Sequence, residues 1–232
     1  MKHVNLHDQT PYRILRLTLL SVIAASTVMV IIAALMYPAL LTMPGSTSYI
    51  LRLVIMLLLY VILVLRATIP ATDQTILRVG TLFGVIACIL EIVHILIENF
   101  GRLNARTETI STGIFMVGLF FLFGLSGYVV TYSKRNIISG MWAGSWSAVV
   151  CMLIVMTYGL TQLFWSFETM EKHNIGNPDF IRTGWNDLHA FVIADIFEAC
   201  FKILFVGPVA GIIFGLIGAA TARVFISNKV KV

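Results

Sequence analysis

The sequence predicts an all-α integral membrane protein of about six transmembrane helices in one bundle, with both termini cytoplasmic and a Gly-Pro break in a long final helix. Three observations predict it. Of 232 residues, 59% are hydrophobic and 12% charged, against about 25% charged in an ordinary soluble domain. The apolar residues gather into six runs long enough to cross roughly 30 Å of hydrocarbon. Lysine and arginine fall between those runs, and unevenly on the two sides. No Pro-, Ser- or Gly-rich linker divides the chain, so residues 1–232 are expected to form a single polytopic domain.

The first run, about 17–41, follows basic residues in "MKHVNLHDQTPYRILR", as the apolar core of a secretory signal would. It is far longer than the roughly 7–15 residues of such a core, which predicts a retained first span. In the second, about 46–65, Arg52 and Arg66 bracket only thirteen uncharged residues, "LVIMLLLYVILVL". Either Arg52 snorkels to an interface or this segment is partly re-entrant. The third, about 76–98, ends in "ILEIVHILIENF", and the fourth and fifth cover about 111–132 and 141–165. The polar stretch 166–187 holds a Gly-Asn-Pro-Asp turn and Trp185, the composition of a loop at the outer membrane interface. The sixth run, 188–222, would be about 52 Å long as one helix, so it must tilt, project beyond the bilayer or break near Gly207-Pro208.

Orientation follows from the short loops. With the N-terminus inside, the cytoplasmic side collects Lys2, Arg13, Arg16, Arg66, Arg78, Lys134, Arg135, Arg223, Lys229 and Lys231; the outer loops hold Arg102, Arg106, Lys172 and Arg182. This distribution predicts a multi-pass protein of a cell or inner membrane with both termini in the cytoplasm. The net charge of +5 does not form a basic stripe interleaved with aromatics, so no nucleic-acid partner is implied.

Charge inside the spans is the functional signal, because an ionisable group in hydrocarbon persists only when paired, hydrated or used. Glu91, His94 and Glu98 stand at i, i+3 and i+7 and form one stripe on the third span. Asp195, Glu198 and Lys202 repeat that spacing on the sixth. In antiparallel register Lys202 would face Glu91, Glu198 would face His94, and Asp195 would face Glu98. Four carboxylates meet one lysine, one histidine and Arg52, which leaves at least one acid to be protonated, hydrated or bound to a cation. His189 and His173 could supply nitrogen from the outer loop side, although loop histidines are more often solvated, as His3 and His7 before the first span are expected to be.

Glu-x-x-His on a helix is half of the ligand set of a di-iron carboxylate bundle. Glu91, His94 and Glu198 are therefore candidate metal ligands, although Lys202 would compete with a metal. No HExxH, GxSxG, P-loop or GxGxxG appears, and no cofactor is strongly implied. Cys88, Cys151 and Cys200 lie in apolar runs without paired spacing, as core residues do. Gly207, Gly211 and Gly215 recur every fourth residue, with Ala219 continuing the row, and such a face lets two helices approach closely. Its occupant is another span of this chain, a partner membrane protein or a second protomer. "VIACILE" at 85–91 and "VIADIFE" at 192–198 agree at five of seven positions, a hint of an inverted repeat.

These features lead to one expectation and two rivals. The leading expectation is an outward-facing intramembrane cavity lined by the two stripes, which handles a cation, a proton or a small polar solute. Here Glu91 and Glu198 are the central acids, His94 the proton partner and Lys202 a charge-balancing switch. The rivals are a noncatalytic subunit of a larger complex, with the charges as an interhelical clasp, and a metal-dependent membrane enzyme.

Overall fold

The computed structural model describes residues 10–69, 72–101 and 104–229. Lys2, His3, His7, Arg102 and Lys231 lie outside the described residues, as do the side chains of His173 and Lys229. Nine helices make up the described chain: α1 (Thr10–Met36), α2 (Ala39–Thr42), α3 (Ser46–Ala67), α4 (Gln74–Phe100), α5 (Ala105–Lys134), α6 (Ile137–Trp165), α7 (Phe167–Asn174), α8 (Pro178–Thr183) and α9 (Leu188–Lys229). No strand occurs among the described residues. Six of the helices, α1, α3, α4, α5, α6 and α9, are long and apolar enough to cross a membrane, which fits a multi-pass membrane protein.

Several helix ends differ from the hydropathy reading: α1 and α5 start earlier, at Thr10 and Ala105 rather than 17 and 111, and α9 runs on to Lys229 rather than 222. α1 stops at Met36, about five residues early, because the residue before a proline is pushed out of the helical region and Pro38 follows Tyr37. The apolar residues beyond it form the single turn of α2. α3 is a continuous helix of 22 residues, about 33 Å long, so it has the length of a full span despite Arg52.

Why these helices are apolar all round is visible in α3. Leu53, Met56, Leu57, Tyr60 and Val64 are buried at three- and four-residue spacing, while Leu51, Ile55, Leu58, Leu59 and Ile62 are exposed. One face packs and the other is left for lipid. α6 is the exception: its most apolar stretch is 67% buried, against 28–33% in the other five spans. It carries no charged residue, and Ala143, Ser147 and Ala148 are small enough to let neighbours approach.

The chain divides into two compact units. One holds the described residues of Met1–Pro70 together with Met156–Ile203, and the other those of Ala71–Val155 and Leu204–Val232. In the first, α1 buries Leu19, Ile23, Ser26, Val30 and Ala33 along one face. The hydroxyls of Ser26 and Thr157 are hydrogen-bonded at 2.9 Å, and the Cys200 thiol points to the Met156 carbonyl at 3.9 Å.

In the second unit, glycines set the spacing. A Cβ built on Gly84 would lie 2.6 Å from the Ser147 carbonyl oxygen, so α4 and α6 are nearly in backbone contact. The Trp146 indole N–H donates to Thr81 across that seam at 3.0 Å. Gly211 and Gly215 meet α6 in the same way: a Cβ on Gly211 would lie 2.6 Å from both the Gly144 carbonyl oxygen and Ala148 Cβ. The small-residue face of α9 is thus packed on α6 of the same chain. α9 itself is helical without interruption from Leu188 to Lys229, with Pro208 inside it.

Loop ends are capped by side chains. Asp73 accepts from the Thr75 amide at the start of α4, and Asn104 accepts from the Thr107 amide at the start of α5. The Asp73 carboxylate also meets Lys134 at 2.9 Å, joining the first turn of α4 to the last turn of α5.

Candidate functional site

The stripe on α4 is a connected polar network. α4 and α5 are antiparallel neighbours joined by the short segment capped by Asn104, so the C-terminal half of α4 faces the first turns of α5. Glu91 and His94 are one turn apart, and Glu91 Oε1 lies 3.3 Å from His94 Nδ1. The other ring nitrogen, His94 Nε2, lies 3.3 Å from Thr112 Oγ1 on α5 and 3.8 Å from Glu98 Oε1. Thr112 Oγ1 in turn lies 3.5 Å from Glu98 Oε1, and it also donates to the Glu108 carbonyl at 3.0 Å. The imidazole stacks on Phe115, ring centres 4.9 Å apart, which restrains its rotation.

Burial falls along this network. His94 is 3% exposed and Glu91 9%, while the Glu98 side chain is 38% exposed. Glu91 Oε2 is buried and has no hydrogen-bond partner among the described residues. A buried carboxylate oxygen left unpaired is costly, and a proton, a water molecule or a cation relieves that cost. The buried end is therefore chemically unsaturated, and the Glu98 end reaches the surface.

The stripe on α9 has a different character. Glu198 and Lys202 form an ion pair along the helix at 2.9 Å, with the Lys202 side chain 64% exposed. Asp195 is exposed one turn earlier. Lys202 is thus not a buried cation in need of a distant partner, as a lysine in mid-span suggests. Each stripe finds a polar partner on its own helix. Arg52 is exposed on α3.

His189 is brought to residues that the sequence did not single out. Its Nδ1 lies 3.2 Å from Glu171 Oε1, and its ring is 5.3 Å from Phe167 and 6.4 Å from Tyr37. Thr112 was likewise missed. Its only sequence signal is that 112 lies on the N-terminal part of a helix that must run antiparallel to α4. Among the described residues no group of three or more His, Cys, Asp or Glu side chains is placed to hold a metal. Glu91 and His94 lie together on α4, and Glu198 belongs to the other unit. Cys88, Cys151 and Cys200 are free thiols and buried.

No known protein family, curated protein or solved structure matches this chain.

Proposed function

We propose that this membrane protein passes protons along α4, between the buried carboxylate of Glu91 and the membrane face that carries Glu98. One observation carries the reading: a run of proton-bearing groups, Glu91, His94, Thr112 and Glu98, at successive distances of 3.3, 3.3 and 3.5 Å, leads from a buried acid to an exposed one. Imidazole suits the middle of such a run, since it takes a proton on one nitrogen and releases another from the second. The Thr112 hydroxyl both accepts and donates, so rotation about its C–O bond passes the proton on to Glu98. The unpaired Glu91 Oε2 takes up the proton at the buried end, and net flux requires its release from there toward the opposite face.

On this proposal both termini are cytoplasmic, as the loop charges favour, and Glu98 opens outward. Glu198 is a second acid on α9, with Lys202 balancing its charge when a small cation or polar solute travels with the proton. Pro208 has no N–H to give to the carbonyl of residue 204, which makes that turn of α9 the easiest one to bend.

The test is proton flux into proteoliposomes carrying a pH-sensitive dye and a potassium-diffusion potential. Purified wild-type protein should acidify or alkalinise the lumen according to the sign of the potential. Glu91→Gln should reduce the flux at least tenfold while leaving the unfolding temperature within a few degrees. Flux equal to empty liposomes, or unchanged flux in Glu91→Gln, would rule the proposal out.

A second reading is favoured by the same Thr112 contact: the network ties α4 to α5 as a clasp in a noncatalytic membrane subunit. In that case Glu91→Gln and Thr112→Val lower the unfolding temperature by similar amounts and no flux accompanies the wild type.

A further inference from the structure

A cavity of about 640 Å³ lies wholly within the unit that contains α1 and α3. Three chain breaks build it. Pro38 ends α1 at Met36 and leaves Tyr37 as the first residue beyond the helix. Ser166 ends α6 and starts α7, which brings Phe167 back toward Tyr37, their rings stacked at 5.6 Å. Asp187 accepts from the Ala190 amide in the first turn of α9 and so positions His189 beside both rings.

The lining is aromatic and acidic together. Tyr37, Trp165, Phe167 and His189 supply rings, and Glu168 and Glu171 supply carboxylates. No lysine or arginine is among the described lining residues, and the His189 imidazole is engaged by Glu171 at 3.2 Å. The volume lies in the range of small-molecule sites, about 300–1,000 Å³. A negative field selects a cation. Ring faces favour one that sheds its water easily, and this is the property of alkylated ammonium ions rather than of small metal ions.

We infer that this cavity binds an organic ammonium ion bearing an aryl or branched alkyl arm, with its charge held by Glu171 and Glu168 and its apolar groups against Tyr37 and Phe167. The site is independent of the α4 network: Glu91→Gln should leave it intact, so failure of one proposal does not carry the other with it.

The experiment is calorimetric titration of the full-length protein in nanodiscs with benzyltrimethylammonium, and with phenylmethanesulfonate as an anion of similar size. The cation should bind saturably at one site and the anion should not. Glu171→Gln should weaken cation binding at least tenfold, Tyr37→Leu at least fivefold and Glu168→Gln about threefold, while Glu108→Gln on α5 leaves it unchanged. Glu168 is exposed, so its variant decides the matter if Glu171→Gln fails to fold. Absence of saturable cation binding by the wild type overturns the inference, as does equal binding of the anion. Unchanged affinity in the carboxylate variants that fold does the same.

Discussion

Asp73 performs two jobs at one atom group, and they can be separated. Its Oδ1 caps α4 by accepting from the Thr75 amide at 2.9 Å, and its Oδ2 pairs with Lys134 at 2.9 Å. Partial burial pushes the carboxyl up, but the hydrogen bonds from Lys134 and Thr75 together with the Lys134 charge outweigh it and hold the group below its ordinary value. A depressed carboxyl stabilises the fold fully above its unfolded value, near 4, and that contribution is lost as pH falls through the lower folded value. Asn is also a good N-cap, so Asp73→Asn should cost only the ion pair, about 0.2–1 kcal/mol for a partly exposed pair. Asp73→Ala should cost roughly 1 kcal/mol more through the lost cap. Unfolding temperatures at pH 7 and pH 3 check both: the gap between wild type and Asp73→Asn should narrow in acid, while the Ala deficit relative to Asn persists.

The same scale shows what a linear sequence displays of a site. Glu91, His94 and Glu98 are legible because helical periodicity alone puts them on one face. Thr112 is not, because its place beside His94 depends on how α4 and α5 pack. Tyr37, Phe167 and Glu171 are further from view, since the two rings stand 130 residues apart in the chain and meet only where two helix breaks coincide.

At the scale of the helix, hydropathy located all six long apolar helices but placed the end of α1 beyond Pro38, since an apolar count does not register a missing helical conformation. The small-residue row on α9 was equally plain, but not its occupant. The clue lay in α6, where Gly140, Gly144 and Ala148 repeat the same four-residue spacing. Complementary rows let the two backbones approach, with dispersion contacts doing what the hydrophobic effect cannot do in lipid. The consequence is a change of sign between two glycine substitutions in helices. A Cβ on Gly144 would lie 2.5 Å from Gly215 Cα and 2.6 Å from the Gly211 carbonyl oxygen, atoms that cannot move without shifting α9. Gly113, on α5, has nothing within 4 Å of its built Cβ. Gly144→Ala should therefore destabilise by about 1–3 kcal/mol, the range of overpacked cores, despite the better propensity of alanine. Gly113→Ala should be neutral or stabilise by up to about 1 kcal/mol. Thermal unfolding of both variants in the same detergent reads the contrast directly.

For the whole molecule, the decisive quantity is which face of the membrane each loop occupies, because the direction of the α4 network depends on it. A rule that counts lysine and arginine in short loops predicts 166–187 outside and the end of α9 inside. The protein is well suited to a labelling test, because Cys88, Cys151 and Cys200 are 4%, 0% and 3% exposed and should be almost silent to an aqueous maleimide. Asn186, just before α9, and Ser227, near its end, are both exposed. In sealed cells a membrane-impermeant maleimide should label Asn186→Cys at once and Ser227→Cys only after the membrane is opened. The wild-type chain should stay unlabelled in both states. Labelling in the opposite order would reverse the topology, so that Glu98 opens to the cytoplasm and any proton leaving through His94 and Thr112 is delivered inward. Equal labelling of the two sites in sealed cells would place both ends of α9 on one face, and the 42-residue helix could not then be a span.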